Sequence, residues 1–326
     1  MIHTFDVESF DSLASHQSAP ENQLNWDCLF VLPSWLKAWW NQFTTGTKPY
    51  LLTARDDNFI IGMAPLHIKE NTASFMGSTD VCDYQDFITV PGKEAIFFQV
   101  LLDHLKQEGI HSLILEHVRP ESATMTHLMD IAQERGYKVL VQEDSSSSEL
   151  VLPLTWDDYL SQLATKQRHE INRRLRRMHE AGDVVYRVLQ NEEAYPEFET
   201  TFFRLFLDSR EDKRTFMTPQ MHEFFLAFSK AMSELGIFRL GILEINAVPV
   251  AATTCFVWNS TTYLYNSGYN PEYSDLSVGL MSKVLCIKWS IEIGHKMFDF
   301  LKGSEKYKYH LGGYRIPLYK CEIGIR

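Results

Sequence analysis

The sequence predicts an α/β protein in which mixed central sheets are flanked by helices. Three observations predict this class. Segments with helical spacing alternate with short apolar segments typical of strands along the 326 residues. The turns Asn246-Ala247 and Asn259-Ser260 are short enough to join three successive strands as hairpins. A helix and another strand follow, which is the order of an antiparallel meander that continues into a parallel crossover.

The chain length indicates two domains. The segment from Glu143 to Glu149 has four consecutive serines between acidic residues and no apolar face, so it predicts a loop or a domain edge. We therefore expect one domain at 1–143 and a second at 149–326. The first half contains a looser version of the element order of the second, which indicates a duplicated fold.

In the first half, the tryptophan-rich segment Pro33–Phe43 has helical spacing, with Ser34 as a candidate N-cap and Trp35, Trp39 and Trp40 as packing residues. The Asp56-Asp57-Asn58 turn predicts a hairpin. The other expected elements are strands at Tyr50–Ala54 and Phe59–Ile68, a helix at Ala95–Gln107, a strand at Ser112–Glu116, a helix at Ala123–Arg135 and a strand at Tyr137–Gln142.

The second half is expected to form one mixed sheet with its helices. Its predicted elements are a strand at Glu149–Leu154, helices at Trp156–Leu163 and Lys166–Ala181, a strand at Val184–Leu189, helices at Glu192–Leu207 and Pro219–Leu235, strands at Phe238–Ile245, Val248–Trp258 and Thr261–Tyr269, a helix at Ser277–Ile293, a strand at Met297–Leu301, a helix at Glu305–Leu311 and a strand at Leu318–Ile325.

Composition excludes several classes of protein. Hydrophobic residues make up 45% of the chain, which argues against disorder, and the net charge of -11 disfavours a general nucleic-acid binder. The 5 cysteines include no C-x-x-C pair and the histidines are isolated, so we expect reduced thiols and no metal site. The apolar window Gly241–Trp258 is interrupted by polar residues. We expect no membrane span and a cytoplasmic protein.

A basic segment, Lys166–Arg177, is the first candidate binding surface. Ile171, Leu175 and Met178 form an apolar stripe on the predicted helix, and arginines cover the remainder. Glu170 is the one acid in the segment, so the like charges repel unless an anion binds. The helix is either an ordinary solvated face or a phosphate-binding surface, for which arginine is well suited. The candidate phosphate ligands are Arg168, Arg173, Arg174 and Arg177.

The second candidate is the loop and helix start that follow the strand ending at Tyr269. Exposed N–H groups at a helix N-terminus bind phosphate. The alternative is an ordinary cap by Ser277 with a glycine that serves helix packing. The candidate residues for binding the phosphate groups of a cofactor are Gly268, Ser277, Val278, Gly279 and Leu280.

The third candidate is the segment from Asp299 to Lys308. Asp299 alternates with buried phenylalanines, and it is either paired in the core or orients a neighbour. Tyr307 is a candidate proton donor, with a pKa expected to be lowered by surrounding cations. Those cations, Lys302, Lys306 and Lys308, are also candidate substrate ligands. The alternative is a surface amphipathic helix.

Three segments together resemble the CelD/BcsL-like acetyltransferases, a group of the GNAT superfamily related to the FemAB-type acyltransferases. Leu32–Trp40 resembles the Trp-rich N-terminal helix of the group, and Arg168–Arg177 resembles its Arg-rich helix. Phe298–Lys308, which reads F-D-F-L-x-G-x-x-x-Y-K, resembles its C-terminal signature. One departure is Leu276–Gly279, because many members have Ser-Pro-Gly before the helix.

The resemblance implies two tandem GNAT-like folds, acetyl-CoA as the acyl donor, and a role in polysaccharide or envelope synthesis. It also implies Tyr307 as the general acid, with Asp299 supporting it. The expected acceptor is a small molecule with an amine, such as a sugar nucleotide or an amino sugar. Two alternatives remain: a FemAB-type transferase that uses aminoacyl-tRNA, and a non-catalytic ligand-binding component of polysaccharide biosynthesis. FemAB relatives often carry a long helical arm, and no predicted helix is long enough to be one.

Overall fold

The computed structural model describes residues 3–44, 49–78 and 80–325, and the chain forms two compact units. Unit 1 comprises Met1–Ser146 and Ile316–Arg326, and unit 2 comprises Ser147–Arg315. Each unit contains a mixed sheet with helices. The predicted α/β class is confirmed.

The strands of unit 1 pair in the order β1-β2-β3-β4-β6-β13, and β5 pairs with β3. Neighbouring strands are antiparallel except for β4 and β6, which are parallel. The elements are β1 (His3–Val7), α1 (Phe10–Gln17), α2 (Pro33–Phe43), β2 (Tyr50–Asp56), β3 (Phe59–Lys69), β4 (Thr72–Phe75), β5 (Ile88–Thr89), α3 (Glu94–Gln107), β6 (Ser112–Val118), a π-helical turn (Thr124–Leu128), α4 (Met129–Glu134), β7 (Lys138–Val151) and, at the end of the chain, β13 (Tyr314–Gly324).

Helix α2 buries its tryptophans, as predicted. Trp35, Trp39 and Trp40 are all buried. The helix begins differently from the prediction, because Leu32 is the N-cap residue and no side chain caps the first turn. Pro33 occupies the first turn, where a missing N–H carries little penalty, and this accounts for the start without Ser34 as a cap.

The strands of unit 2 pair in the order β7-β12-β11-β10-β9-β8, with Ser147–Val151 as the part of β7 that pairs with β12. The remaining elements are α5 (Trp156–Gln162), α6 (Thr165–Ala181), β8 (Val184–Gln190), α7 (Ala194–Glu197), a π-helical turn (Phe198–Phe202), α8 (Phe203–Ser209), α9 (Glu211–Phe216), α10 (Pro219–Glu234), β9 (Phe238–Ile245), β10 (Val248–Trp258), β11 (Thr261–Tyr269), a 3-10 helix (Pro271–Leu276), α11 (Val278–Glu292), β12 (Met297–Lys302) and α12 (Lys306–His310).

The meander and its crossover are as predicted. β9, β10 and β11 are antiparallel, and α11 connects β11 to the parallel strand β12. All four residues of the turns Asn246-Ala247 and Asn259-Ser260 have positive φ, which is the conformation that a two-residue type I′ hairpin requires. In unit 1 the antiparallel strands β2, β3 and β4 are likewise followed by a helix and by a strand, β6, that is parallel to β4.

The segment Glu143–Glu149 was expected to be a loop or a domain edge. It is not a loop, because these residues lie inside strand β7, but the boundary between the two units falls within it, between Ser146 and Ser147. Ser147 and Ser148 are fully buried, and β7 pairs with β12 at Ser147, Glu149, Leu150 and Val151. Small serines fit in a buried strand whose backbone is hydrogen-bonded, so the lack of an apolar face was misleading. Sequence patterns also did not indicate β1, α1, β4 or α9.

No helix in the described ranges is both long enough and apolar enough to cross a membrane.

Candidate active site

Strands β11 and β12 separate after a short parallel ladder. Thr261–Tyr263 pair with Met297–Asp299. β11 continues to Tyr269 and β12 to Lys302, and over these described residues no further pairing joins the two strands. The facing edges beyond the ladder therefore present main-chain donors and acceptors that do not bond to each other. Such an opening can hold an extended ligand by main-chain hydrogen bonds.

A β-bulge lies between β11 and its other neighbour, β10. The register shifts between Thr254, which pairs with Asn266, and Cys255, which pairs with Leu264. Tyr265 is the extra residue. A bulge bends its strand and increases the local twist, which accounts for the separation of the end of β11 from β12.

The start of α11 has the free donors expected for an anion site. Ser277 has a φ of 57° and its side chain makes no capping hydrogen bond, so the alternative of an ordinary serine cap is wrong. The carbonyl of Ser277 accepts the N–H of Leu280 at 2.9 Å. The N–H groups of Val278 and Gly279 belong to the first turn, which has no intrahelical acceptors for them. A Cβ on Gly279 would lie 2.8 Å from the ring of Tyr269, so this glycine also serves packing.

Gly268 is required for packing of β11 on α8. A Cβ at this position would lie 2.3 Å from the backbone nitrogen of Phe206 and 2.4 Å from the carbonyl carbon of Leu205. Backbone atoms cannot move aside as a flexible side chain can. Close packing of β11 on α8 therefore explains why residue 268 is a glycine, without any contact to a bound donor molecule.

The basic helix α6 packs against α11 and against the 3-10 helix that precedes α11. Ile171 and Met178 are buried, and Leu175 packs on the same core, so the predicted apolar stripe is confirmed. This packing brings the basic helix beside the helix start that contains Ser277 and Gly279.

The arginines of α6 fall into two sets. Arg173 donates two hydrogen bonds to the carboxylate of Glu170, at 2.9 and 2.7 Å, and Arg174 donates a third at 2.6 Å. These bonds lower the pKa of Glu170 to about 2. For Arg168 and Arg177, no carboxylate lies within 4 Å in the part of the chain that the structure describes. The predicted phosphate ligands thus include paired and unpaired guanidinium groups.

The loop after β12 is held by Asp299 and Lys308. The Oδ1 atom of Asp299, which is buried, accepts the N–H of Leu301 at 2.7 Å, and Leu301 has a φ of 60°. The ammonium of Lys308 donates to the carbonyl oxygens of Leu301 at 2.9 Å, Lys302 at 2.8 Å and Gly303 at 3.2 Å. Asp299 and Lys308 therefore stabilise a conformation that a leucine rarely adopts.

These contacts change what the loop residues can do. The three N–H donors of Lys308 are used by the loop and its charge is paired with Glu305 at 3.0 Å, so no donor is left for a substrate phosphate. Asp299 contacts the backbone and is a positioning residue. Lys306 is exposed and Lys302 is partly buried.

Tyr307 lies on α12 with its ring beside β12 and α11. The ring centroid is 6.3 Å from that of Phe300 and 5.3 Å from Nζ of Lys283. Burial and then the charge of Glu305 raise the pKa of Tyr307, so the expected lowering by lysines is wrong. The hydroxyl stays protonated at neutral pH, and within the described residues it has no protein hydrogen-bond partner.

Two lysines that the sequence did not single out lie at the end of β11. Lys213 on α9 donates to Oγ of Ser209 at 3.1 Å and to the carbonyl oxygen of Ser267. Lys283 on α11 donates to the carbonyl oxygen of Gly279 at 2.7 Å. Burial, with repulsion between the two charges, lowers the pKa of Lys213 to about 7, and burial lowers that of Lys283 to about 8. Their shifted pKa values mark this end of the sheet as a candidate functional site.

A cavity of about 790 Å³ in unit 2 lies at the other end of the sheet. It is lined by the end of β8, including Gln190, and by the end of α10 up to Gly236. Gln190 pairs with Arg239 at the start of β9, whereas Tyr269 pairs with Ala251 near the start of β10. The titratable groups near the end of β11 are therefore distant from this cavity. Among the described residues, no group of three or more His, Cys, Asp or Glu could hold a metal.

Comparison with known families identifies the domain that carries this arrangement. Residues 165–309 match the family model of the acetyltransferase (GNAT) domain. The part of unit 2 that contains the candidate site is therefore similar to a GNAT-type acetyltransferase domain. The match begins at the first residue of α6 and ends within α12, so it includes the basic helix, the opening between β11 and β12, and Tyr307. No curated protein matches the chain.

Solved structures with similar folds cover nearly the whole chain. A crystal structure of FemX is 13% identical with a TM-score of 0.64, covering 98% of this chain and 96% of that one. The C-terminal domain of a putative lysylphosphatidylglycerol synthetase from Agrobacterium fabrum is 8% identical, with a TM-score of 0.57 and coverage of 88% and 90%. A tandem GNAT protein of the clavulanic acid pathway is 10% identical, with a TM-score of 0.50 and coverage of 98% of both chains. The predicted tandem GNAT-like fold is confirmed.

Proposed function

We propose that the protein is an N-acyltransferase of the CelD/BcsL-like group, which transfers an acetyl group from acetyl-CoA to an amine of a sugar nucleotide, an amino sugar or a related envelope precursor. The observation that carries the proposal is the opening between β11 and β12 inside the matched GNAT domain. Tyr307, Lys213 and Lys283 lie around that opening.

The residues present fit an acyl-CoA donor. The first-turn N–H groups of α11, at Val278 and Gly279, are suited to a diphosphate because the helix N-terminus carries a partial positive charge. Arg168 and Arg177 lie on α6, the helix that packs beside this turn, and they add unpaired positive charge. When bound, the thioester supplies an activated acyl carbon.

The residues at the opening then act by positioning and by proton transfer. Main-chain N–H groups on the free edge of β11 are suited to stabilise negative charge on the thioester oxygen. As the C–N bond forms and the C–S bond breaks, Tyr307 donates its proton to the departing sulfur, the proton lost by the amine passes to solvent, and solvent reprotonates Tyr307. The acceptor amine must arrive neutral, and nearby ammonium groups lower the pKa of an amine and favour that form.

The alternatives differ in donor or in activity. A FemAB-type enzyme would use aminoacyl-tRNA, and the similarity to FemX concerns the fold alone. The FemAB relatives that carry a long helical arm differ from this chain, because α6 and α10, with 17 and 16 residues, are the longest helices described. A non-catalytic component of polysaccharide biosynthesis would bind a ligand without turning it over.

A donor assay separates these functions. The protein is incubated with acetyl-CoA and a panel of amino sugars, sugar nucleotides and simple amines, and release of the free thiol is followed. Amine-dependent thiol release supports the proposal. In parallel, thermal shifts are measured with acetyl-CoA and with tRNA, because a ligand that binds the folded state raises the melting temperature. A shift with tRNA alone supports the FemAB alternative, and the absence of thiol release with every amine contradicts the proposal.

A further inference from the structure

Two lysines of unit 2 lie at the end of β11 without a carboxylate partner. The hydrogen bonds of Lys213 go to the hydroxyl of Ser209 and the carbonyl of Ser267, and that of Lys283 goes to the carbonyl of Gly279. All of these acceptors are uncharged. In the part of the chain that the structure describes, no carboxylate oxygen lies within 4 Å of either ammonium.

The acidic residues that influence these lysines are bound to other cations. Asp212 is the residue before Lys213. It accepts two hydrogen bonds from Arg210, at 2.9 and 2.7 Å. Glu305 acts on the charge of Lys283 but forms its ion pair with Lys308, at 3.0 Å. The immediate surroundings of Lys213 and Lys283 therefore keep an excess of positive charge.

A chain of contacts joins the two lysines. Lys213 binds the carbonyl of Ser267 on β11, and the ring of Tyr269, two residues later on that strand, lies against Gly279, whose carbonyl accepts from Lys283. Repulsion from Lys283 is also among the causes that lower the pKa of Lys213. Two like charges in partly buried surroundings are unfavourable, and a bound anion removes this penalty.

We propose that Lys213 and Lys283 form a subsite for a carboxylate group of the substrate. A carboxylate has two oxygens and accepts charge-assisted hydrogen bonds from two ammonium groups at once. Phosphate is better served by the planar fork of arginine, and the guanidinium groups nearest in sequence to Lys213 are already paired, Arg210 with Asp212 and Arg214 with Asp208. The carboxylate comes either from the acceptor, which then resembles an amino acid or an acidic amino sugar, or from a dicarboxylic acyl group. This choice of substrate rests on the proposed acyl transfer, whereas binding of a carboxylate does not.

Competitive labelling tests the subsite without requiring any turnover. The full chain is treated with a small amount of acetic anhydride near neutral pH, in acetate or in chloride of equal ionic strength, and the acetylation of each lysine is measured by mass spectrometry. Acetate is expected to slow labelling of Lys213 and Lys283 about fivefold or more, because a bound carboxylate raises the pKa of both amines. Lys230, which is exposed, is the internal control and labels equally in both salts.

The variant Lys283→Gln removes one of the two ammonium groups and is expected to abolish the protection of Lys213 by acetate. Equal labelling of both lysines in acetate and in chloride overturns the proposal. Protection by inorganic phosphate but not by acetate also overturns it, since the site would then select a different anion.

Two kinetic comparisons then identify the source of the carboxylate. With acetyl-CoA, an amino acid acceptor is compared with its carboxamide, and with a neutral amine acceptor, succinyl-CoA is compared with acetyl-CoA. A preference of about tenfold in kcat/KM, equivalent to about 1.4 kcal/mol, for one carboxylate-bearing partner supports the subsite and names its source. Lys213→Gln is expected to remove that preference. Protected lysines without any transfer support the subsite and contradict the proposed function.

Discussion

The ammonium of Lys308 donates a hydrogen bond of 2.9 Å to the carbonyl oxygen of Leu301, a residue held at a φ of 60°. The same ammonium reaches the carbonyls of Lys302 and Gly303, and its side chain is only 2% exposed. Lys308→Met keeps the apolar stem but leaves these carbonyls without their donor. We expect the free energy of unfolding to fall by about 3 kcal/mol, the range for unsatisfied buried partners of a charged group.

Urea denaturation measures this change, with Lys306→Met as the matched control. Lys306 is exposed on the same helix, so its replacement is expected to change stability by less than about 0.5 kcal/mol. Equal stability of the two variants would show that Lys308 does not hold the loop.

Gly268→Ala is expected to destabilise unit 2 strongly. The added Cβ would lie 2.3 Å from the backbone nitrogen of Phe206, so β11 and α8 must move apart. We expect a loss of about 3 kcal/mol in urea denaturation, at the upper end for overpacking. Gly324→Ala is the control, because the nearest atoms to a Cβ there lie at 3.9 Å. A stability close to that of the wild type would mean that the strand and helix tolerate the methyl group.

Tyr307→Phe is expected to reduce turnover about a hundredfold, the low end for loss of a general acid. The ring contacts with Phe300 and Lys283 are kept and only the proton donor is lost, so donor affinity should stay within about twofold. Tyr309→Phe, at an exposed position of α12, is the control and should retain full activity. Unchanged turnover of Tyr307→Phe across roughly pH 6 to 9 would remove this residue from the mechanism.

Arg174→Ala combined with Arg177→Ala is expected to raise the dissociation constant for acetyl-CoA about tenfold. Stability should change little, because Glu170 keeps Arg173 as a partner. The double variant Arg173→Ala, Arg176→Ala removes the same charge from exposed side chains that are both paired with glutamates, and we expect its effect to be about twofold. Isothermal titration calorimetry gives both constants. Equal affinities for the two double variants would identify α6 as a plain solvated face.

The lowered pKa of Lys213 predicts how stability depends on pH. Its pKa falls from 10.5 to about 7 on folding, so between these values the unfolded chain binds more protons and the free energy of unfolding rises with pH. Lys213→Met lacks this contribution. We expect the variant to gain stability relative to the wild type at pH 6, and that gain to shrink by about 1–2 kcal/mol by pH 9.

Denaturation in chloride buffers at several pH values checks this dependence. Lys230→Met, at an exposed position, is the control and should follow the wild type at every pH. A constant difference between Lys213→Met and the wild type would show that Lys213 has an ordinary pKa.

The central meander was predictable from the sequence. The predicted bounds of Phe238–Ile245, Val248–Trp258 and Thr261–Tyr269 are those of β9, β10 and β11. Hairpin register depends on the residues of the turn, and Asn246 and Asn259 readily adopt the left-handed conformation that a two-residue turn needs. The buried stripe of α6 was predictable for the same reason, because helical spacing is a local property.

The chemistry of the opening was only partly predictable. Tyr307 and Asp299 stand in a recognisable segment, but Lys213 lies in a charged stretch that reads as a solvated surface. Its environment depends on Ser267, which lies 54 positions away in the chain, and on Lys283. The effect of the neighbouring lysines on the pKa of Tyr307 was predicted wrongly. Residues that are neighbours in sequence need not point at the same group, and the ammonium of Lys308 binds the backbone of its own loop.

By itself, the sequence determined the fold class, the order of the strands and helices in unit 2 apart from α9, and the segments that resemble acyltransferases, because all of these depend on local periodicity and turn chemistry. The tertiary structure alone decided which strands β7 and β13 pair with. Ser147–Val151 pair with β12, whereas β13 pairs with β6 and the last residues of the chain group with unit 1. Strand pairing is chosen by edges that are distant in sequence, and burial of Ser147 and Ser148 leaves no local pattern.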